Sequence, residues 1–166
     1  GEMYASSPSE YGAISATQQF SSTVATLTRR YQIESPTARL MTATFTVTAR
    51  SSTPLFNVRV WFGTQDDWVG QTDRPTKEIG DWDADGNFVM LTTSTNSGAN
   101  TGKTLRVTSG SEGVFMTSAT ANAKASSNSC CSFSNVYNND PSAALTTRSG
   151  DGSYGLYLPI GDIPAG

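Results

Sequence analysis

The chain contains no histidine and very little lysine, and these absences exclude several kinds of chemistry. Among its 166 residues, lysine occurs only at positions 77, 103 and 124, and the net charge is −3. A serine or cysteine nucleophile activated by histidine is therefore ruled out. Two carboxylates would suffice for a glycosidase, but acidic loop residues more often face solvent. We predict that the protein is not an enzyme and, because it has no basic patch, that it does not bind nucleic acid.

Long apolar segments are also absent. No hydrophobic run approaches the roughly 20 residues that a membrane-spanning helix needs, and no signal-peptide pattern opens the chain. We therefore expect no membrane insertion. The sequence is instead rich in serine, threonine, asparagine and glycine, with a pI of about 4.8. This mildly acidic, small-residue composition is typical of an extracellular or cell-surface protein.

The apolar segments are built from threonine, valine, phenylalanine and tyrosine, which favours strands over helices. The clearest strand is 39–50, where Phe45 and Val47 alternate with threonines. Such alternation predicts one apolar face and one threonine face. The segment 57–63 alternates in the same way after a turn at Pro54, so we predict that these two strands form an antiparallel pair.

Further strand-like segments follow, separated by turns of glycine, serine and asparagine. This pattern predicts an all-β protein whose fold is an antiparallel β-sandwich, either Ig-like or jelly-roll-like. Residues 1–19 are small and polar, and we interpret them as an N-terminal arm or extension. Residues 20–166 are expected to form a single sandwich domain. After the last alternating segment, 154–160, the sequence "GDIPAG" predicts a turn.

The two cysteines, Cys130 and Cys131, are neighbours in the sequence. Their Cα atoms lie about 3.8 Å apart across a trans peptide, which is closer than the usual range for a disulfide. Three arrangements remain open: a disulfide within the pair, bridges to another chain, or two free thiols. An oxidising location favours the disulfide within the pair. A metal site is not favoured here, because no histidine and no third cysteine complete the ligand set.

The segment "DWDADGNF" begins like a calcium-binding loop. Asp81, Asp83 and Asp85 occupy alternate positions and Gly86 follows them, as in the D-x-D-x-D-G pattern. The pattern then breaks, because Thr92 stands where that pattern requires a glutamate. The sequence leaves two interpretations: a calcium site at the three aspartates, or a plain hairpin with Asp85 and Gly86 at its tip.

A third candidate site is the long loop predicted at 63–86, where tryptophans are interspersed with acidic residues. Exposed tryptophan beside aspartate suits sugars, because the ring stacks on a pyranose face and the carboxylates accept hydroxyl protons. The opposite interpretation is that the tryptophans close one end of the sandwich as part of its core. The candidate glycan-binding residues are Trp68, Trp82, Asp66, Asp67 and Asp73.

The runs "NVRVWFGTQDDWVGQTDRPTKEIGD", "SNSCCSF" and "GDGSYGLYLPIGDIPAG" resemble a β-sandwich module of large secreted and cell-surface proteins of microbes and algae. The resemblance covers roughly residues 40–166. It implies an extracellular assembly or adhesion role without naming a ligand. Modules of this kind are expected to carry one more strand after Gly166, so the resemblance implies a sandwich that lacks its last strand.

These features predict two alternative functions. The first is an extracellular structural module, a subunit or repeat of a surface filament, sheath or coat, whose partners are copies of itself or neighbouring modules of a longer chain. We expect its open sheet edge to be completed by a neighbour's strand, with the arm 1–19 as the donor. The alternative is a calcium-assisted carbohydrate-binding or adhesin module whose partners are glycans. Calcium is the one cofactor that the sequence suggests.

Overall fold

A computed structural model describes the protein at residues 15–35, 37–50, 52–91, 100–131, 141 and 147–166. Over these residues the chain is all-β and antiparallel, which confirms the predicted fold class. None of the described residues belongs to a helix long and apolar enough to span a membrane. The strands are β1 (Ser15–Ser21), β2 (Ala25–Ile33), β3 (Met41–Ala49), β4 (Leu55–Thr64), β5 (Thr76–Trp82), β6 (Phe88–Met90), β7 (Thr104–Ser109), β8 (Glu112–Thr117), β9 (Lys124–Ser129), β10 (Thr147–Arg148) and β11 (Gly152–Ile163).

The chain divides into two compact units. The first contains residues 1–58 and 160–166, and the second contains residues 59–159. The sequence placed a boundary after residue 19, but residues 15–19 belong to β1. The rest of the predicted arm lies outside the described residues, and the single domain over 20–166 stays a prediction.

The first unit contains a three-stranded sheet in the order β1-β2-β3. Neighbouring strands share faces as the alternation predicts: Leu27 lies opposite Val47, and Thr28 lies opposite Thr46. On β3 the threonines are exposed, whereas Phe45 and Val47 are half-buried. One face of this sheet is therefore apolar and the other is a threonine surface, as the sequence indicates.

The predicted pairing of β3 with β4 is wrong. β3 pairs with β2, whereas β4 lies beside β11 in another sheet. The predicted turn after Ile160 is also wrong, because β11 continues through Gly161 to Ile163. In the sheet order β11 lies between β4 and β9, so the last described strand has neighbours on both sides. A further strand after Gly166 stays a prediction.

Two glycines explain why β4 pairs with a strand so distant in the sequence. A Cβ atom on Gly155 would lie 2.6 Å from the carbonyl oxygen of Phe62, and one on Gly63 would lie 2.1 Å from that of Tyr154. Any side chain at either position would push the two strands apart. The close approach of the two backbones at Gly63 and Gly155 favours the pairing of β4 with β11, although the two strands are far apart in the sequence.

The second unit is a two-sheet sandwich. One sheet has the order β10-β5-β7-β8, with β6 also paired to β5, and the other has the order β4-β11-β9. β9 packs against β5 and β7. The inner side chains of both sheets are buried: Ile79, Leu105, Val107, Ala125 and Leu156. This core fixes the ends of the connecting segments, where the candidate site residues lie.

Two valines of the same sheet give a matched test of this core. Val107 is 0 % exposed on β7, whereas Val89 is 51 % exposed on β6. Val107→Ala should lower the free energy of unfolding by about 2–3 kcal/mol, because it removes buried methyl groups and leaves a cavity. Val89→Ala should change it by less than about 0.5 kcal/mol. Urea unfolding curves measure both, and equal losses would contradict the assignment of the inner face.

Candidate functional site

The connection between β4 and β5 is shorter than the sequence indicated. The predicted loop 63–86 contains β5, so the irregular segment is 65–75. At its start the Thr64 hydroxyl donates to the carbonyl oxygen of Asp66 at 2.6 Å. Further along, Val69 and Thr72 exchange backbone hydrogen bonds around Gly70, which has a φ of 62°. The segment is therefore a compact turn held by its own polar groups.

This turn places two adjacent aspartates in opposite surroundings. Asp66 is exposed, whereas Asp67 is fully buried and forms an ion pair with the equally buried Lys77. The Lys77 Nζ atom donates to Asp67 Oδ2 and to the carbonyl oxygen of Gly150. Asp67 Oδ1 is buried and has no hydrogen-bond partner in the described part of the chain. Removing two charges from water is costly unless every polar atom is satisfied, and this pair is only partly satisfied.

Strand β11 of the other sheet lies against this pair. A Cβ atom on Gly152 would lie 2.5 Å from the carbonyl oxygen of Asn128 and 3.4 Å from both Asp67 Oδ2 and Lys77 Nζ, so the start of β11 is in contact with the pair. Two residues further along β11, burial raises the pKa of Tyr154, and the negative charge of Asp67 raises it further. The pair therefore lies among core residues and is not exposed at the surface. Asp67 differs in this respect from the other predicted glycan-binding residues.

The cysteine pair lies beside the same connection. One carboxylate oxygen each of Asp66 and Asp151 and the sulfur atoms of Cys130 and Cys131 lie within 4.8 Å of one another. Within the described ranges, no other group of three or more His, Cys, Asp or Glu side chains comes this close. The two sulfur atoms contact each other. Because a metal needs free thiolates, a disulfide and a metal site here exclude each other. The disulfide within the pair stays our prediction.

The predicted calcium loop forms a β-hairpin. Trp82 at the end of β5 pairs with Phe88 at the start of β6. Asp83 closes the turn, because its Oδ1 atom accepts hydrogen bonds from the backbone N–H groups of Asp85 (3.0 Å) and Asn87 (2.8 Å). The segment that resembles a calcium loop is thus a tight turn that the side chain of Asp83 caps.

The three aspartates of this hairpin have separate surroundings. Asp81 Oδ1 accepts a hydrogen bond from the backbone N–H of Trp82 at 3.0 Å, and Asp85 is exposed. The oxygen atoms of these three carboxylates do not all lie within 4.8 Å of one another. A cation at this hairpin would have to draw them together. Calcium binding by Asp81, Asp83 and Asp85 stays a prediction.

Trp82 belongs to an exposed aromatic cluster with Phe88 and Phe115. The Trp82 ring centroid lies 6.1 Å from that of Phe88 and 5.0 Å from that of Phe115. Arg106 extends the cluster, with its guanidinium carbon 4.5 Å from the Phe88 ring centroid. Its Nε atom lies 2.7 Å from Glu78 Oε2. Three rings and an ion pair therefore share one face of the five-stranded sheet.

The other predicted ligand-binding residues lie elsewhere on the connection. Trp68 is 59 % exposed and Asp73 is half-buried. Among the described ring contacts, Trp82 meets Phe88 and Phe115, and Trp68 is not one of its partners. The sequence therefore grouped side chains that the fold distributes over two places, the cluster and the turn.

Sequence reasoning missed Lys77, Phe115 and Asp151. Lys77 precedes Ile79 by two residues, so strand alternation would have placed it on the inner face if 76–82 had been recognised as a strand. Phe115 lies on β8, and no local pattern in that segment indicates that Trp82 lies next to it. Asp151 precedes β11, which lies beside both β9 and β4, so it meets the cysteines and Asp66 only through long-range pairings that local patterns do not reveal.

Comparisons with known proteins give no further assignment. A scan against protein-family models finds no match, and searches of curated proteins and of solved structures find none either. The resemblance to secreted β-sandwich modules therefore stays a prediction. The candidate sites depend on the residues and geometry of this chain alone.

The capping role of Asp83 can be tested through its pH dependence. Hydrogen bonds, above all from the Asn87 backbone, hold the pKa of Asp83 below its usual range. A carboxyl group of this kind stabilises the fold above its unfolded pKa of about 3.9, and the contribution is lost as pH falls through the lower folded value. Asp83→Ala should therefore melt at a lower temperature than the wild type at neutral pH, and the difference should shrink in acid.

Thermal melts of both proteins from neutral pH to about pH 2 measure this effect. Asp83→Asn is the control, because its amide oxygen still accepts the two N–H bonds but does not titrate there. It should melt above Asp83→Ala at neutral pH. A difference between wild type and Asp83→Ala that stays constant over the whole range would contradict the capping role.

Proposed function

We propose that the protein is an extracellular structural module, a subunit or repeat of a surface filament, sheath or coat. Its partners are copies of itself or neighbouring modules of a longer chain. The observation that carries the proposal is the open edge of the five-stranded sheet. Among the described residues β8 pairs only with β7, and five of its six residues are exposed. An exposed edge strand is a template for another strand, because the backbone N–H and C=O groups on its outer side have no strand partner.

The side chains of β8 support this proposal. Val114 and Phe115 are 41 % and 48 % exposed, and Phe115 continues into the aromatic cluster. Lysine or proline commonly protects the edge of a sheet from unwanted pairing, but the sequence of β8, "EGVFMT", contains neither. An apolar edge beside exposed rings is suited to burial against another molecule.

The proposal uses a different sheet edge from the one that the sequence predicts the arm to complete. Residues 15–19 of the predicted arm pair with β2 of their own chain, and donation by the arm to a neighbour stays a prediction. In the proposal, β8 of one copy therefore pairs with β8 of another. The small polar composition supports the extracellular location.

A charge on the edge should prevent this assembly. Val114→Lys places a cation on β8, and we expect it to convert the assembled wild type to single chains, since the charge would be desolvated on pairing. Light scattering and negative-stain microscopy of the full chain measure the particle size. Val24→Lys is the matched control, because Val24 is also exposed but lies outside β8. A monomeric wild type, or a Val114→Lys variant that assembles equally well, would contradict the proposal.

The aromatic cluster favours a second candidate function, a calcium-assisted carbohydrate-binding or adhesin module. Trp82, Phe88 and Phe115 present apolar rings beside the Arg106–Glu78 ion pair. Rings of this kind stack on sugar faces, and the charged pair offers donors and an acceptor to hydroxyl groups. The same surface would serve adhesion to a glycan-coated cell.

A glycan array probed in calcium and in chelator tests this function. Trp82→Ala should abolish any binding that the cluster provides, whereas Trp68→Ala removes an exposed tryptophan outside it. Weaker binding in chelator would assign a role to calcium. The absence of glycan binding in both conditions, or equal loss from both variants, would contradict binding by the cluster.

A further inference from the structure

The buried pair of Lys77 and Asp67 has the features of two groups that react with each other. Both side chains are 0 % exposed, and the Nζ atom contacts the carboxyl group. We propose that the two side chains condense to an amide, so that the second unit carries an internal covalent cross-link. The link would join β5 to the turn that precedes it, at the centre of the sandwich.

The hydrogen bonds around the pair suit the amide better than the ion pair. An ammonium group has three N–H donors. In the described part of the chain Lys77 finds two acceptors, Asp67 Oδ2 and the Gly150 carbonyl oxygen. The amide nitrogen would carry a single N–H, and the Gly150 oxygen is placed to accept it. The ion pair thus leaves a charged donor unsatisfied, whereas the amide nitrogen is satisfied completely.

The carboxyl group gives the same indication. Asp67 Oδ1 is buried without a hydrogen-bond partner, which is costly for a charged oxygen and less so for the oxygen of a neutral amide. Pairs of buried charges are often less stable than neutral groups of similar volume. Condensation removes both charges at once and leaves one oxygen in place of two.

The reaction balances without a further reactant. One proton passes from the ammonium group to the carboxylate, which gives a neutral amine and a carboxylic acid. The amine lone pair attacks Asp67 Cγ and forms the C–N bond, the C–O bond to the hydroxyl group breaks, and a second proton from nitrogen leaves with that hydroxyl as water. Two amine hydrogens and one carboxyl oxygen are lost in total. No oxidant, reductant or activating nucleotide is required.

The fold supplies what this reaction lacks in solution. Amines and carboxylates do not condense in water for two reasons. The separate ions are well solvated, and the large excess of water, which is a product of the condensation, favours the reverse reaction. Holding two groups in contact is equivalent to an effective concentration of about 10⁵–10⁸ M. Burial destabilises the ions and removes the bulk water that would reverse the step. The cross-link should therefore form only after the sandwich has folded.

Mass spectrometry of the full chain tests the proposal. After reduction and denaturation, the protein should be lighter than its sequence by one water. Reduction should add two hydrogens if the cysteine pair is bridged, so the two modifications are separable. Trypsin should then fail to cut after Lys77, and one peptide should span residues 60–103 with the same deficit of one water. Arg74 is followed by Pro75, which keeps Asp67 and Lys77 on one peptide.

Variants locate the link. Asp67→Ala should have its full mass and be cut after Lys77. If burial of the unpaired lysine prevents folding, the double variant Asp67→Leu with Lys77→Met keeps an apolar pair of similar size and should fold with its full mass. Normal cleavage after Lys77 in the wild type overturns the proposal. A lost water that maps to Asp85-Gly86 or Asp151-Gly152, as aspartyl–glycine dehydration would give, overturns it as well.

Discussion

The burial of Lys77 on the inner face of β5 is the constraint on which the second unit depends. A lysine with no access to water must find its partners inside the protein. The turn 65–75 folds back to supply Asp67, and the segment before β11 supplies the Gly150 carbonyl oxygen. Gly152, at the start of β11, lies in contact with the pair. These requirements hold the β4–β5 connection, β5 and the start of β11 in one arrangement.

This arrangement also determines where the reactive side chains at the surface lie. Because Asp67 faces the core, its neighbour Asp66 faces outward and meets Asp151 and the two cysteines. The turn 65–75 therefore places Asp66 beside the cysteines at the surface and Asp67 beside Lys77 in the core. Because the two aspartates are adjacent, we expect a substitution at the buried pair to alter the position of Asp66 relative to the cysteines.

Local patterns in the sequence predicted the all-β class and the two faces of β3. The alternation of Phe45 and Val47 with threonine is a property of adjacent residues, so it can be read without the fold. The pairing of β4 with β11 could not be read, because it depends on two glycines about ninety positions apart. The role of Asp67 was missed for a related reason: an aspartate in a polar segment resembles a surface residue until the strand that carries its lysine partner is recognised.

The central position of β11 has a consequence for how the protein folds. β11 follows both β4 and β9 in the sequence, yet it lies between them, and its residues Gly152–Leu158 are buried at every position. The sheet β4-β11-β9 therefore cannot close until this strand has left the ribosome. Long-range pairing of this kind slows folding, and β4 and β9 would present open edges in the meantime. During synthesis, the half-built sandwich is thus the species that most needs protection from aggregation.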